Sequence, residues 1–220
     1  EIQGLNQAVR NAADAQAYLA TTEGAMEEIH TILLRMRELA VQASNGTYTA
    51  QDRVALQAEV SDLQSEINRI ATDTTFNNIG VLSGAASTGI TFQIGADNTQ
   101  TMTVSIGRVT ISAAGLNIST AKQLTTAADA MNYISTIDSA ISIISTERGT
   151  YAAAMNRLDH AMANMQNVAT NLSMAKGRVE DADFAAETSN LARVQVLQQA
   201  SMAMLAQANA SKQNILSLFQ

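Results

Sequence analysis

Near the start of the chain, apolar and small residues recur in unbroken steps of three and four: Leu5, Ala8, Ala12, Ala15, Leu19, Thr22, Met26, Ile29, Leu33, Met36, Ala40 and Ala43. That spacing holds one stripe on one face of a helix and marks a coiled-coil seam. At 1.5 Å per residue the helix is roughly 60 Å long. The many Ala in the seam let a neighbouring helix come close. A second stretch, Leu56, Val60, Leu63, Ile67 and Ile70, repeats the pattern and is expected to fold back on the first. A third carries Ala130, Ile134, Ile137, Ile141, Ile144, Arg148, Tyr151, Met155, Leu158, Met162, Met165, Ala169 and Leu172.

Glycine separates these stretches. Six of the eleven glycines lie between Gly80 and Gly115. In that interval Ile90, Phe92 and Ile94 alternate with polar residues, as do Met102, Val104 and Ile106. Gly95-Ala96-Asp97-Asn98-Thr99 between them is a turn cluster. The spacing predicts a β-hairpin over 90–106, with Val109 and Ile111 continuing the sheet. Asn45-Gly46 reads as a helix stop, Gly accepting the left-handed cap conformation. Thr49-Ala50-Gln51-Asp52 and Thr126-Ala127-Ala128-Asp129 read as capping boxes with Asp in place of Glu. Gly177 and Glu180-Asp181-Ala182-Asp183 suggest a break and a fresh helix start, since carboxylates favour a helix N-terminus. A last, Ala- and Gln-rich helix then runs to the apolar end Ile215-Leu216-Ser217-Leu218-Phe219.

The fold class expected is mainly α: an elongated, coiled-coil-like helical rod with a small β-hairpin region and a C-terminal helix. The rod spans 1–176, with helices at about 4–45, 50–71 and 127–175 and the hairpin region at about 76–112. The C-terminal helix takes 177–220.

Composition narrows the function. Aromatics are 4% of the 220 residues and charged residues 15%, with no Cys, Pro or Trp. Without Cys there are no disulfides, thiolate metal sites or Cys nucleophiles. A net charge of −7 argues against nucleic acid as a partner. No run of about 18 apolar residues offers a membrane span. The chain opens Glu1-Ile2-Gln3-Gly4, without Met or a signal-peptide pattern, so a processed or truncated product is expected.

Sites for chemistry are sparse. His30 and His160 sit beside the seams and read as exposed helical histidines. The acidic cluster Glu180, Asp181 and Asp183 lacks the Gly and the alternating ligands of a calcium loop. Sequons at Asn45, Asn117, Asn171 and Asn209 arise by chance in a chain rich in Asn, Ser and Thr. No GxSxG, Walker A, GxGxxG or HExxH motif occurs. The expectation is a protein that is not an enzyme and carries no cofactor or metal. Its Met residues, Met26, Met36, Met155, Met162 and Met165 among them, are expected to fill the seams.

Several stretches resemble bacterial flagellin, in order along nearly the whole chain. Gly4-Leu5-Asn6-Gln7-Ala8, Arg10-Asn11-Ala12 and Thr22-Glu23-Gly24-Ala25 resemble the start of its first rod helix. Arg35-Met36-Arg37-Glu38-Leu39-Ala40-Val41-Gln42-Ala43 with Asn45-Gly46-Thr47 is similar to the family's best-known stretch. Phe76-Asn77, Val81-Leu82-Ser83-Gly84 and Phe92-Gln93-Ile94-Gly95-Ala96 resemble the approach to its hairpin. Arg178-Val179-Glu180-Asp181-Ala182-Asp183-Phe184, Gln198-Gln199-Ala200, Leu205-Ala206-Gln207-Ala208-Asn209 and Leu216-Ser217-Leu218 resemble its ending. Ala210-Ser211-Lys212 stands where the family has Pro, and Leu34 where it usually has Gln. The family carries a further helical segment before the position of Glu1, which in the family pairs with the C-terminal helix. Its variable outer region is reduced here to about 85–125.

The resemblance implies the family's D1 rod for 1–176 and part of D0 for 177–220. It implies self-assembly into the flagellar filament for motility, after export through the flagellar type III pore to the cell exterior. Implied partners are other flagellin subunits, an export chaperone at the C-terminal helix, cap and hook-associated proteins, and the toll-like receptor that senses the rod. Carried over by position, the receptor contacts are Arg35, Leu39 and Glu59, expected to be exposed together. The alternatives are a hook–filament junction protein, which shares the rod, and a coiled-coil signalling or binding rod, which lacks a central hairpin.

Overall fold

The computed structural model describes residues 1–84, 88–112, 114–119 and 124–217; at 182, 183 and 212–217 it describes the backbone alone. The apolar end expected at 215–219 and the side chain of Asp183 therefore lie outside the described residues. The chain divides into two units, Glu1–Asn167 and Val168–Gln220.

The first unit is built on α1 (Ile2–Ser44), a helix of 43 residues. All twelve residues of its expected seam are buried, joined by Tyr18 and Leu39. Helix α2 (Ala50–Asp73) starts on a full capping box: Thr49 accepts from the Asp52 N–H and Asp52 accepts from the Thr49 N–H. Helix α3 runs over Ala127–Ser217, starting where the Thr126 hydroxyl accepts from the Asp129 N–H at 3.1 Å.

Cross-links fix how the first unit's helices run. Gln16 bonds Asp159, Glu23 pairs with Arg148 and Arg37 with Asp138, so α1 and α3 are antiparallel. Arg35 meets Glu59 and Arg53 meets Ala43, so α2 also runs antiparallel to α1. Buried Gln64 of α2 donates to the Tyr133 hydroxyl of α3 at 2.7 Å and to the Ile118 carbonyl at 2.6 Å, tying both helices to the loop before α3.

The hairpin is antiparallel: β3 (Ile90–Gln93) pairs with β4 (Thr101–Val104), Ile90 opposite Val104 and Phe92 opposite Met102. Its loop closes at 3.0 Å, from the Ile94 N–H to the Gln100 carbonyl. A two-stranded ribbon is marginal alone, and here it lies on α1. Asn11 donates to the Gln93 carbonyl at 3.1 Å. The Tyr18 ring meets Phe76 edge-on at 5.6 Å and Phe92 at 6.0 Å. Three of the eight Phe and Tyr residues thus meet where sheet joins helix, the Tyr18–Phe76 pair in a favourable edge-to-face arrangement.

Five expectations need correction. The first is the end of α1, which is not a left-handed glycine cap. Asn45 is extended (φ −67°, ψ 128°), and Gly46 is not among the residues with positive φ. The orphan carbonyls are taken instead by the buried Arg53 guanidinium, which donates to Ala43 at 2.8 Å and to Asn45 at 3.0 Å. A cation suits a helix C-terminus.

The second is the α3 seam, which is centred one residue earlier at three steps. Tyr133, Ala140 and Ala154 are buried, while Ile134, Ile141, Met155 and Met162 are half-buried on its shoulder. Adjacent residues 100° apart on a helix can each continue a three-four pattern, and the Tyr133–Gln64 bond decides for Tyr133. Leu158 is fully buried as expected.

Third, Val109 and Ile111 do not extend the hairpin. The Val109 N–H donates to Leu82 and the Ile111 carbonyl accepts from Ile118, so the segment folds into its own turn. Fourth, a short ribbon, β1 (Thr75–Phe76) with β2 (Ile79–Gly80), was not foreseen. Asn77 (φ 48°) and Asn78 (φ 65°) form its two-residue turn, the left-handed pair a type I′ hairpin needs and Asn tolerates.

Fifth, α3 does not break at Gly177 but stays helical to Ser217. A helical Gly costs only about 1 kcal/mol against Ala, too little to stop a helix with good formers on both sides.

Candidate assembly interface

Two surfaces carry the candidate residues. The first is the face where α1 meets α2. The guanidinium of Arg35 donates twice to Glu59 Oε1, at 2.9 and 2.8 Å, and once to Glu38 Oε2 at 3.1 Å. The Glu59 hydrogen bond, then that of Glu38, raises the Arg35 pKa further above its ordinary value. The cluster is open to solvent. Leu39 does not join it. Expected to be exposed beside Arg35, it is only 1% accessible and belongs to the buried side of α1. Of the three residues, the fold brings Arg35 and Glu59 together on the surface and places Leu39 beneath them. Leu34 and Val41 are instead the exposed apolar residues of this stretch of α1.

The second surface is the second unit. Every described side chain from 184 to 211 is exposed. Phe184, Leu191, Val194, Met202 and Leu205 fall within an arc of about 80° on the helix, and Leu197 and Met204 widen it to about 160°. Phe184 is 73% accessible and Leu191 58%. An uncovered apolar stripe of this length marks a binding face. Sequence reasoning placed a helix here without naming the residues of its stripe; the signal was Phe184, Leu191, Met202 and Leu205, spaced seven, eleven and three residues apart.

Inside the first unit a polar layer crosses the seam. Arg148, part of the expected seam, donates to Glu23 Oε1 at 2.7 Å, with both side chains half-buried. One turn on, the Tyr151 hydroxyl donates to Glu147 at 2.9 Å. Burial, then the charge of Glu147, pushes the Tyr151 phenol up. Burial likewise pushes Tyr133 up to about 12, opposed by its bond from Gln64. The Glu23–Arg148 and Gln64–Tyr133 bonds join helices, and the Tyr151–Glu147 bond lies within α3.

Among the described residues, no three His, Cys, Asp or Glu side chains could hold a metal ion, and no helix is long and apolar enough to cross a membrane. His30 is half-buried and His160 exposed, on different helices.

Fold and surfaces define a class: a helical protein with a self-sufficient packed unit and a helix whose apolar face is left for another chain. Comparison with known proteins sharpens this. Residues 1–87 match the bacterial flagellin N-terminal helical region and residues 134–219 the bacterial flagellin C-terminal helical region. Flagellin of Halalkalibacterium halodurans is 39% identical over all of this chain and 80% of its own length. Flagellin FlaB1 of Treponema pallidum is 38% identical over all of this chain and 81% of its own. The crystal structure of Bacillus cereus flagellin superposes with a TM-score of 0.61 at 36% identity, over 76% of this chain and 94% of that one. The chain belongs to the bacterial flagellin family, whose members are structural subunits of the flagellar filament.

Proposed function

We propose that this chain polymerises by laying the apolar stripe of α3 beyond residue 177 against equivalent helices of neighbouring copies. Residues 1–176 act as the D1-like rod and 177–220 as the D0-like helix. The observation that carries this reading is the run of exposed apolar side chains from Phe184 to Leu205, on a helix that nothing in its own unit covers. Contacts that repeat head to tail without closing generate a helical filament. The chain works outside the cell as a structural part in motility and not as a catalyst. Before assembly the same stripe suits an export chaperone, and cap and hook-associated proteins meet the ends of the polymer.

The test is expression in a flagellated strain lacking its own filament protein. Electron microscopy is expected to show filaments with the wild-type chain and none with Leu191→Asp plus Leu205→Asp. Exported, folded wild-type protein that forms no filament overturns the reading.

The α1–α2 face is the proposed contact for the toll-like receptor. Its support is the exposed Arg35–Glu59 pair, Arg being typical of binding centres. Leu39, being buried, acts by holding α1 against α2. A reporter-cell assay is expected to lose signal with Arg35→Ala and with Glu59→Ala. Wild-type protein silent at micromolar concentration, or both variants as active as wild type, contradicts it.

A further inference from the structure

The chain has no Cys, so its ten Met thioethers are its only sulfur. They range from inaccessible to open, Met131 and Met174 being 60% and 52% accessible. Met26 and Met36 are fully buried in the α1 seam, and Met102 and Met165 are nearly so. Met155 and Met162 are half-buried on the α3 shoulder. Met202 and Met204 are the most open of all, 67% and 72% accessible; Met202 lies within the apolar stripe and Met204 at the far edge of its wider arc, with Leu205 between them.

We propose that Met202 and Met204 form an oxidation-sensitive switch on the assembly face. A peroxide transfers one oxygen to the thioether sulfur. The sulfur is oxidised by two electrons, the O–O bond breaks, and hydrogen peroxide leaves as water. No proton or group is lost from the protein. Susceptibility of Met follows access, so the stripe reacts before the seam. The product is a polar sulfoxide on a face that otherwise presents Leu, Val and Phe. Docking then has to bury an S=O group among apolar side chains, which costs free energy unless a donor meets it. In the opposite direction, docking covers the two sulfurs and shields them. The effect on assembly rests on the filament reading above; the order of oxidation does not.

The experiment treats the purified chain with dilute hydrogen peroxide and follows each Met by peptide mass spectrometry. Met202 and Met204 are expected to gain oxygen at least about tenfold faster than Met26 and Met36, which react only after local opening. The treated and untreated chains are then added to filament seeds and sedimented. Oxidation is expected to slow growth of the wild type. It is expected to leave Met202→Leu plus Met204→Leu at that variant's own untreated rate, since Leu keeps the volume of Met. Met131→Leu, which removes an exposed Met of the first unit, is expected to stay as sensitive as wild type. Equal oxidation of seam and stripe overturns the accessibility argument. A Leu variant as sensitive as wild type overturns the switch. An untreated chain that never grows on seeds contradicts the filament reading itself, and the order of oxidation still stands or falls separately.

Discussion

Helix α3 passes through two environments without a change of backbone form. Up to Met165 its stripe is buried, with Tyr133, Ile144, Tyr151 and Leu158 fully inaccessible. Beyond residue 177 an apolar stripe lies open, Leu191, Met202 and Leu205 among its residues. Leu and Met occur in both stripes, while Ile and Tyr line only the covered one. The difference is what stands opposite. In the first unit α1 and α3 cover one another, locked by the Glu23–Arg148 and Arg37–Asp138 pairs. Helical periodicity is written in a chain, but burial is decided by partners, and most helical stability in proteins comes from packing.

The comparison is broken most easily in the seam. Leu33→Ala is expected to destabilise the first unit by about 2–4 kcal/mol, the range for large-to-small changes in a packed core. Leu191→Ala in dilute protein is expected to cost under about 0.5 kcal/mol. Met155→Ala, on the shoulder, should fall between them. Urea unfolding of the three variants checks the order; equal costs would erase the distinction between covered and uncovered stripes.

Arg53→Met is expected to be the next largest effect. It leaves the Ala43 and Asn45 carbonyls without their charged donor, at a cost of about 1.5–3 kcal/mol, read as a lower urea midpoint with an unchanged slope.

Alkali should act on the first unit alone. Tyr133 is held near 12 when folded and sits near 10 when unfolded. Between those values the unfolded chain has already lost a proton that the folded chain keeps, so stability falls as pH rises. The contribution is complete below about pH 10 and gone above about pH 12. Tyr133→Phe should flatten the loss in denaturant titrations run across this range. An unchanged slope would show that burial of the Tyr133 hydroxyl is not what couples folding to pH in this range.

The smallest effects belong to the surface. Gln42→Ala is expected to cost under about 0.5 kcal/mol, and Arg35→Ala to leave the urea midpoint in place while changing receptor signalling.

Much of this was legible in the sequence, for a physical reason. The α1 seam is one stripe with no competitor, and every residue in it is buried. The hairpin follows from alternation of Ile90, Phe92, Met102 and Val104. What failed were choices that local pattern leaves open. Tyr133 and Ile134 each continue a three-four series, and only a buried partner, Gln64, selects one. Arg53 carries no signal in the local pattern and gains its role only where α2 folds back and places it over the end of α1. Gly177 resembled a stop, yet a single Gly does not end a helix without an alternative cap. Leu39 followed the expected position of a family contact, but it joins the buried side of α1. The Asn77-Asn78 turn was readable from its two residues.

Amide hydrogen exchange on one preparation, first dilute and then sedimented as filaments, tests the central claim most directly. The account predicts slow exchange over Leu5–Ala43 in both states. Over 184–211 it predicts fast exchange in the dilute chain and strong protection in the filament. Protection of 184–211 in dilute monomer equal to that of α1 would contradict it, because that helix would then need no partner.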